Sequence, residues 1–182
     1  MSILKVARMG HPVLRARARA LEPAEIRSTP IQQLIDDMFE TMHEYQGVGL
    51  AAPQVHQSVR IFVAGFPPSK DDDGEEQVPE MVLINPDVRP DGTDTVEDWE
   101  GCLSIPGIRG RVPRARRAIV RAYDRRGKLI ELRASGFTAR VIQHETDHLD
   151  GVLFLDRMLS FESLTFLDEF ARFWSGQEVP AE

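Results

Sequence analysis

Two histidines and a glutamate stand in one short run, Gln143-His144-Glu145-Thr146-Asp147-His148. His144 and His148 are four residues apart, so on a helix both imidazoles project from one face. Two neutral ring nitrogens placed this way can bind a single metal ion, at about 2.0–2.1 Å if the ion is zinc. Glu145 lies beside them, near enough to reach a water at the metal without being a ligand itself. That division of labour suits hydrolysis: the ion acidifies water, and the carboxylate accepts its proton and hands it on. Short matches of this kind also arise by chance, and a buried histidine is often only hydrogen-bonded. Here Val141, Ile142 and Leu149 make the surrounding helix apolar. Burying two imidazoles and a carboxylate there is costly without partners, and a metal supplies them.

Two histidines need a third ligand. One zinc-protease class would place a third histidine at position 154, where this chain has Phe154, so that class is excluded. A thermolysin-like protease would use a carboxylate about twenty residues after the second histidine, and Asp168 and Glu169 lie there. They fall on an amphipathic terminal segment, where acidic residues more often face water. The third route is Cys102, the chain's one cysteine, in Glu100-Gly101-Cys102-Leu103-Ser104-Ile105-Pro106-Gly107. A thiolate with two imidazoles suits iron(II), zinc, nickel or cobalt. A lone cysteine is otherwise an ordinary core residue.

The elements that must position these groups follow from periodicity. Ile31, Leu34, Ile35, Met38, Phe39 and Met42 recur at three- and four-residue steps, predicting a helix from Thr29, its cap, to about Gln46, with Pro30 in the first turn and the stripe in the core. Residues 59–64 and 81–84 read as strands. The acidic stretch 69–80 between them nearly matches a calcium loop, but Ser69 stands where an aspartate is expected and strands replace the flanking helices, so it reads as a solvated hairpin loop. Alternation in Ile119, Arg121, Tyr123 and in residues 129–132 predicts a strand pair around Asp124-Arg125-Arg126-Gly127. Residues 137–149 form the helix of the histidines, with Ser135 as cap and Gly151 as stop, and residues 161–174 form a terminal helix. Helices separated by several strand pairs fit an α+β domain better than βαβ units.

With 182 residues the chain suits one domain rather than two. One cysteine rules out an internal disulfide, no signal-like start or membrane-length apolar run is visible, and the expectation is a reduced cytoplasmic protein. The net charge of -7 argues against a surface that coats nucleic acid. Residues 109–128 nonetheless hold nine of the 22 basic residues, so an RNA-binding module is the non-enzymatic alternative.

Three motifs in order resemble those of the peptide deformylases, of the bacterial type: Gly47-Val48-Gly49-Leu50-Ala51-Ala52-Pro53-Gln54, Glu100-Gly101-Cys102-Leu103-Ser104, and Gln143 to His148. With the flanking helix the similarity spans about residues 3–160. The resemblance implies an α+β fold in which antiparallel sheets pack around a central metal-binding helix, followed by a C-terminal helix at about 161–174, all in one domain over 1–182. It implies a hydrolase that removes the formyl group from the N-terminal formyl-methionine of nascent chains, releasing formate. By position, Cys102, His144 and His148 would bind one divalent ion, usually iron(II) in this family, with zinc, nickel or cobalt as other loads, and water would take the fourth position. Glu145 would be general base and then acid. The Gln54 side chain and the Leu103 backbone N–H would hold the oxyanion. Gly49 would let the substrate backbone pair as an added strand, Gly101 would lie along it, and Val48, Phe137 and Val141 would line the methionine pocket. Arg109 matches a family position near that pocket. Arg140 departs from the apolar residue of the best-known members. Nascent formylated chains are the implied partner, with at most transient ribosome contact because the terminal segment is acidic, no membrane, and a monomer or homodimer.

Overall fold

The computed structural model describes residues 2–66 and 78–175. In chain order the elements are α1 (Pro23–Ile26), α2 (Thr29–Glu44), β1 (Gly49–Ala51), β2 (Ile61–Ala64), β3 (Met81–Pro90), β4 (Thr95–Cys102), β5 (Ile105–Ala115), β6 (Arg117–Tyr123), β7 (Leu129–Ser135), α3 (Gly136–Leu149), β8 (Thr165–Phe166) and α4 (Leu167–Phe173), with short 3-10 turns between some of them. The acidic stretch read at 69–80 lies, apart from Val78, Pro79 and Glu80, outside the described residues.

Two antiparallel sheets form. One has the order β1-β2-β3-β6-β7, the other β4-β5-β8. Strand alternation sends the residues of β2 two ways. Ile61 and Val63 join Ile35, Met38 and Met42 of α2 in one core cluster. Phe62 and Ala64 join Ala139, Val141, Ile142 and Leu149 of α3 in another. The five-stranded sheet is thus covered by α2 on one face and α3 on the other. The apolar stripe read from α2 is core, as its spacing demanded. Its N-cap is Ser28, one residue earlier than expected, because Thr29 already has helical geometry. The predicted β6–β7 hairpin forms, with Arg117 opposite Ser135 and Tyr123 opposite Leu129. Its fully buried face carries Ala118, Val120 and Ala122, while Ile119 and Tyr123 are only partly covered.

The terminal helix is shorter than its periodicity predicts. Residues 161–163 form a 3-10 turn, Thr165–Phe166 pairs with Ile108 and Arg109 on the open edge of β5, and the α-helix begins only at Leu167. The unpaired main chain of β5 offers Thr165 and Phe166 hydrogen bonds that override local helical spacing.

Candidate metal centre

The ligand helix α3 has two unlike faces. Ala139, Ile142 and Leu149 meet the five-stranded sheet. Arg140, Gln143, His144, Asp147 and His148 form a polar stripe at three- and four-residue steps, facing the smaller sheet. Gln143 fastens it there: its Nε2 donates to Ala115 O at 2.9 Å and its Oε1 accepts from Ala115 N at 3.0 Å. The tip of the β4–β5 hairpin then reaches the helix. Cys102 is the last residue of β4 and pairs with Ile105 across the two-residue turn Leu103-Ser104. A register shift between Gly101 and Cys102, with Gly107 at φ +75°, aims the cysteine at α3.

Sγ of Cys102 lies 3.2 Å from Nε2 of His148. Cys102, His144 and His148 each offer a donor atom, all within 4.8 Å of one another. The Nδ1 of His144 donates to Glu100 Oε2 at 2.8 Å, which leaves Nε2 as the ring's lone-pair nitrogen. Burial alone would push the Cys102 thiol up, but the imidazoles of His148 and His144 more than offset it and hold the thiol well below its ordinary value. Burial would likewise lower His144, but Cys102 and Glu100 hold it well above its ordinary value. Without a metal these shifts describe a thiolate beside a protonated imidazole; an ion that displaces the ring proton would meet a thiolate and two imidazoles, a set that fits a divalent transition metal.

Glu145 is buried, and its Oε2 has no hydrogen-bond partner among the described residues. Burial pushes its carboxyl up to about 7, against the opposing pull of His144 and His148. The carboxylate lies where a Cβ on Gly49 would fall 2.3 Å from its Oε1. Any side chain at position 49 would displace it, so this glycine makes room for Glu145 as well as for an approaching backbone. Gln54 is 1% exposed. Its Oε1 accepts from Ala51 N at 2.8 Å, which turns Nε2 toward Ser104 Oγ at 3.2 Å and Cys102 Sγ at 3.5 Å. The chain start ties both sides of this contact, since Ala7 N donates to Gln54 O at 2.7 Å and Met9 N to Ser104 O at 2.8 Å.

A cavity of about 800 Å³ opens over the centre, and Val48, Gly49, Gln54, Gly101, Cys102, Leu103, Arg109, Phe137, Val141, His144 and Glu145 all line it. His148 is not in the lining and is 1% exposed. Asp168 and Glu169 are exposed in the first turn of α4, which removes the thermolysin-like alternative.

A match to the family model described as polypeptide deformylase covers residues 3–163. The chain belongs to the polypeptide deformylase family. It is 44% identical over 158 residues to peptide deformylase 2 of Nostoc sp., covering 87% of each chain. It is 45% identical over 163 residues to the peptide deformylase of Salinibacter ruber, covering 87% of this chain and 82% of that one. Among solved structures, the Met-Ala-Ser-bound class I type b peptide deformylase of Acinetobacter baumannii superposes with a TM-score of 0.79 at 38% identity, covering 87% of this chain and all of the other. The Thermotoga maritima peptide deformylase gives 0.76 at 37%, covering 88% of this chain and all of the other. The expected α+β deformylase architecture is the one observed. The family's reaction is metal-dependent hydrolysis of the N-formyl group from formyl-methionyl peptides, and this chain is a hydrolase of that class with a divalent-metal centre.

Sequence reasoning missed the groups behind the deformylase centre. Glu100 receives a bidentate Arg114, at 2.9 and 3.0 Å, and Arg140 at 2.8 Å. Arg114 also donates to Asp147 at 2.5 Å, and Asp147 accepts from Arg157 at 2.7 Å. Burial opposes ionisation of Glu100, but His144 and Arg114 hold its carboxyl far below the usual range. Arg140 further donates to Val112 O at 2.8 Å and Val96 O at 2.6 Å. Arg140, which departs from the family's usual apolar residue, lines the cavity and is at the same time a buried brace between α3 and the smaller sheet. The available signal was Arg140 and Asp147 on a helix that also had to be buried: charges there demand partners.

Proposed function

We propose that Cys102, His144 and His148 hold one divalent ion, iron(II) in the native protein, and that the chain uses this centre to remove the formyl group from formyl-methionine at the start of nascent polypeptides, releasing formate. The observation that carries this reading is the convergence of three donor atoms within 4.8 Å under a cavity that Glu145 and Gln54 also line. When bound, the ion supplies Lewis acidity toward water and the formyl oxygen. The residues supply the rest. Glu145 accepts a proton from the attacking water and returns it to the departing amine. Gln54 Nε2, held by Ala51 and Ser104, donates to the oxyanion that forms on the formyl carbon, together with the Leu103 N–H. Such donors are each worth roughly 3 kcal/mol of barrier.

Substrate placement follows from the edge of the larger sheet. Val48 O accepts from Gly65 N at 2.8 Å, so alternation turns the amide and carbonyl of Gly49 away from β2 and toward the cavity. A formyl-methionyl backbone can pair there as an added strand, with Gly101 along its other side. Val48, Val141 and Phe137 take the methionine side chain. The chain works as a single domain, cytoplasmic, in passing contact with ribosomes, as monomer or homodimer. Among the described residues no helix is long and apolar enough to cross a membrane.

The test is a formate assay on formyl-Met-Ala-Ser with iron- or nickel-loaded protein prepared without oxygen. Formate release by the wild type, lost in Glu145→Ala, is expected. Formate no higher than that control would sink the proposal. Cys102→Ser should also lose bound metal.

A further inference from the structure

We propose that the C-terminal segment 165–174 contributes, through Leu167, a wall of the substrate cleft that reads the residues following formyl-methionine: Leu167 touches a large apolar side chain at the second or third position, and Phe170 holds Arg109 at the rim. This rests on the deformylase reading above and extends it to the part of the substrate beyond the first residue.

The C-terminal segment is tied to the cleft by main chain and side chains alike. β8 pairs Thr165 with Arg109, and Arg109 pairs on its other side with Gly101, the neighbour of Cys102. Phe170 meets Trp99 edge-on with centroids 4.9 Å apart, and Trp174 lies 5.8 Å from Trp99. The Arg109 guanidinium sits 5.0 Å from the Phe170 centroid, a cation held over a π face. No carboxylate among the described residues forms an ion pair with Arg109, so Phe170 is what orients it. α4 buries none of its residues, so this aromatic cluster, and not the core, keeps it in place.

The consequence for substrate is one of reach. Leu167, Trp99 and Ile108 line the same cavity as Cys102 and Glu145. That cavity, about 800 Å³, stands high in the range of about 300–1,000 Å³ typical of ligand sites. A strand pairing along Gly49 advances about 3.3 Å per residue, so the first residues after methionine run along the cleft past its rim. Beside the C-terminal segment the cavity lining carries three apolar side chains, Leu167, Trp99 and Ile108, and the cation Arg109, engaged by an aromatic ring; the cations Lys5 and Arg8 line the cavity from the chain start. An apolar side chain is the occupant that loses least and buries most there.

The experiment measures kcat and KM for formyl-methioninamide and formyl-Met-Leu-Phe, with wild type, Leu167→Ser, Phe170→Ala and, as a control on an exposed site outside the cavity, Leu159→Ser. The ratio of kcat/KM, long substrate over short, should fall about tenfold in Leu167→Ser, chiefly through KM, and less in Phe170→Ala. Leu159→Ser should keep the wild-type ratio. A second readout is direct, because both tryptophans of the chain sit in this cluster. The unformylated peptide Met-Leu-Phe should shift tryptophan emission of the wild type more than methioninamide does. An unchanged ratio in Leu167→Ser with metal content and melting intact, or equal emission changes with both ligands, overturns the wall. Wild type inactive on both substrates takes the deformylase reading down with it. Wild type active on formyl-methioninamide with an unchanged ratio removes the wall alone.

Discussion

At the scale of single residues, His144 and Gln54 each have one polar atom held by a partner and another left for the site, while Glu145 Oε2 and His148 Nδ1 have none among the described residues. His144 commits Nδ1 to Glu100 and keeps Nε2 for the ion. Gln54 commits its oxygen to Ala51 and keeps its amide donor for the site. Glu145 has no such partner at Oε2, and burial raises its carboxyl to about 7. A base must be ionised to take a proton, so activity should fall as pH drops through this ionisation. A divalent ion nearby favours the carboxylate, which moves the acidic limb of the loaded enzyme below 7. The expected profile of kcat/KM therefore has a single-proton acidic limb, about tenfold per pH unit, with its midpoint between the ordinary carboxylate range and 7. A limb centred above 7 would contradict it. His144, Glu145 and His148 were legible in the sequence by type and spacing, whereas Cys102 was singled out only by the family resemblance; the structure brings the donor atoms of Cys102, His144 and His148 within 4.8 Å of one another. Glu100 was not legible, because a carboxylate that only orients an imidazole has no spacing rule of its own.

At the scale of elements, α3 is a buried helix whose inner stripe is polar. Hydrophobic contact cannot join that stripe to the smaller sheet, so Arg114 and Arg140 join it through Glu100, Asp147 and backbone carbonyls. Arg114 bridges the two carboxylates, and both it and Glu100 are almost wholly covered. Replacing Arg114 by Met leaves two acidic groups short of a counter-charge in a dry seam. The expected cost is about 3–5 kcal/mol of unfolding free energy, measured by urea titration, with a parallel loss of bound metal because Glu100 no longer fixes His144. A cost under about 1 kcal/mol, the worth of a surface ion pair, would mean the seam is wet. α2 and the β6–β7 hairpin could be read from the sequence, since an apolar stripe and a turn flanked by alternating residues are local signals. The end of the chain could not. Leu164, Leu167 and Phe170 have helical spacing, but Thr165 and Phe166 meet the open edge of β5, which lies more than fifty residues earlier in sequence.

At the scale of the whole molecule, the basic run at 109–128 disperses. Arg114 is buried, Arg109 stacks on Phe170, and Arg111, Arg117 and Arg125 meet Glu97, Asp94 and Asp36. Arg116, Arg121, Arg126 and Lys128 stay exposed, so it is the chain's net charge of -7, and not these pairings, that disfavours a polyanion. On the metal-bound reading proposed above, the ion site would tie the two layers together. Cys102 belongs to the smaller sheet and the two histidines to the helix packed on the larger one. An ion held by all three is a cross-link between layers that unfolding must break. At free metal near 1,000 times its dissociation constant, binding adds about 4 kcal/mol to stability. For a chain of this size each kcal/mol moves Tm by about 2–4 °C, so chelation should lower Tm by about 8–16 °C. Cys102→Ala removes the ligand from one layer and leaves two imidazoles on the other. Its Tm should be nearly the same with and without chelator, measured by calorimetry. A variant that still lost the full shift on chelation would show the two histidines holding the ion without the sulfur, and the two layers would then be joined by the arginine seam alone.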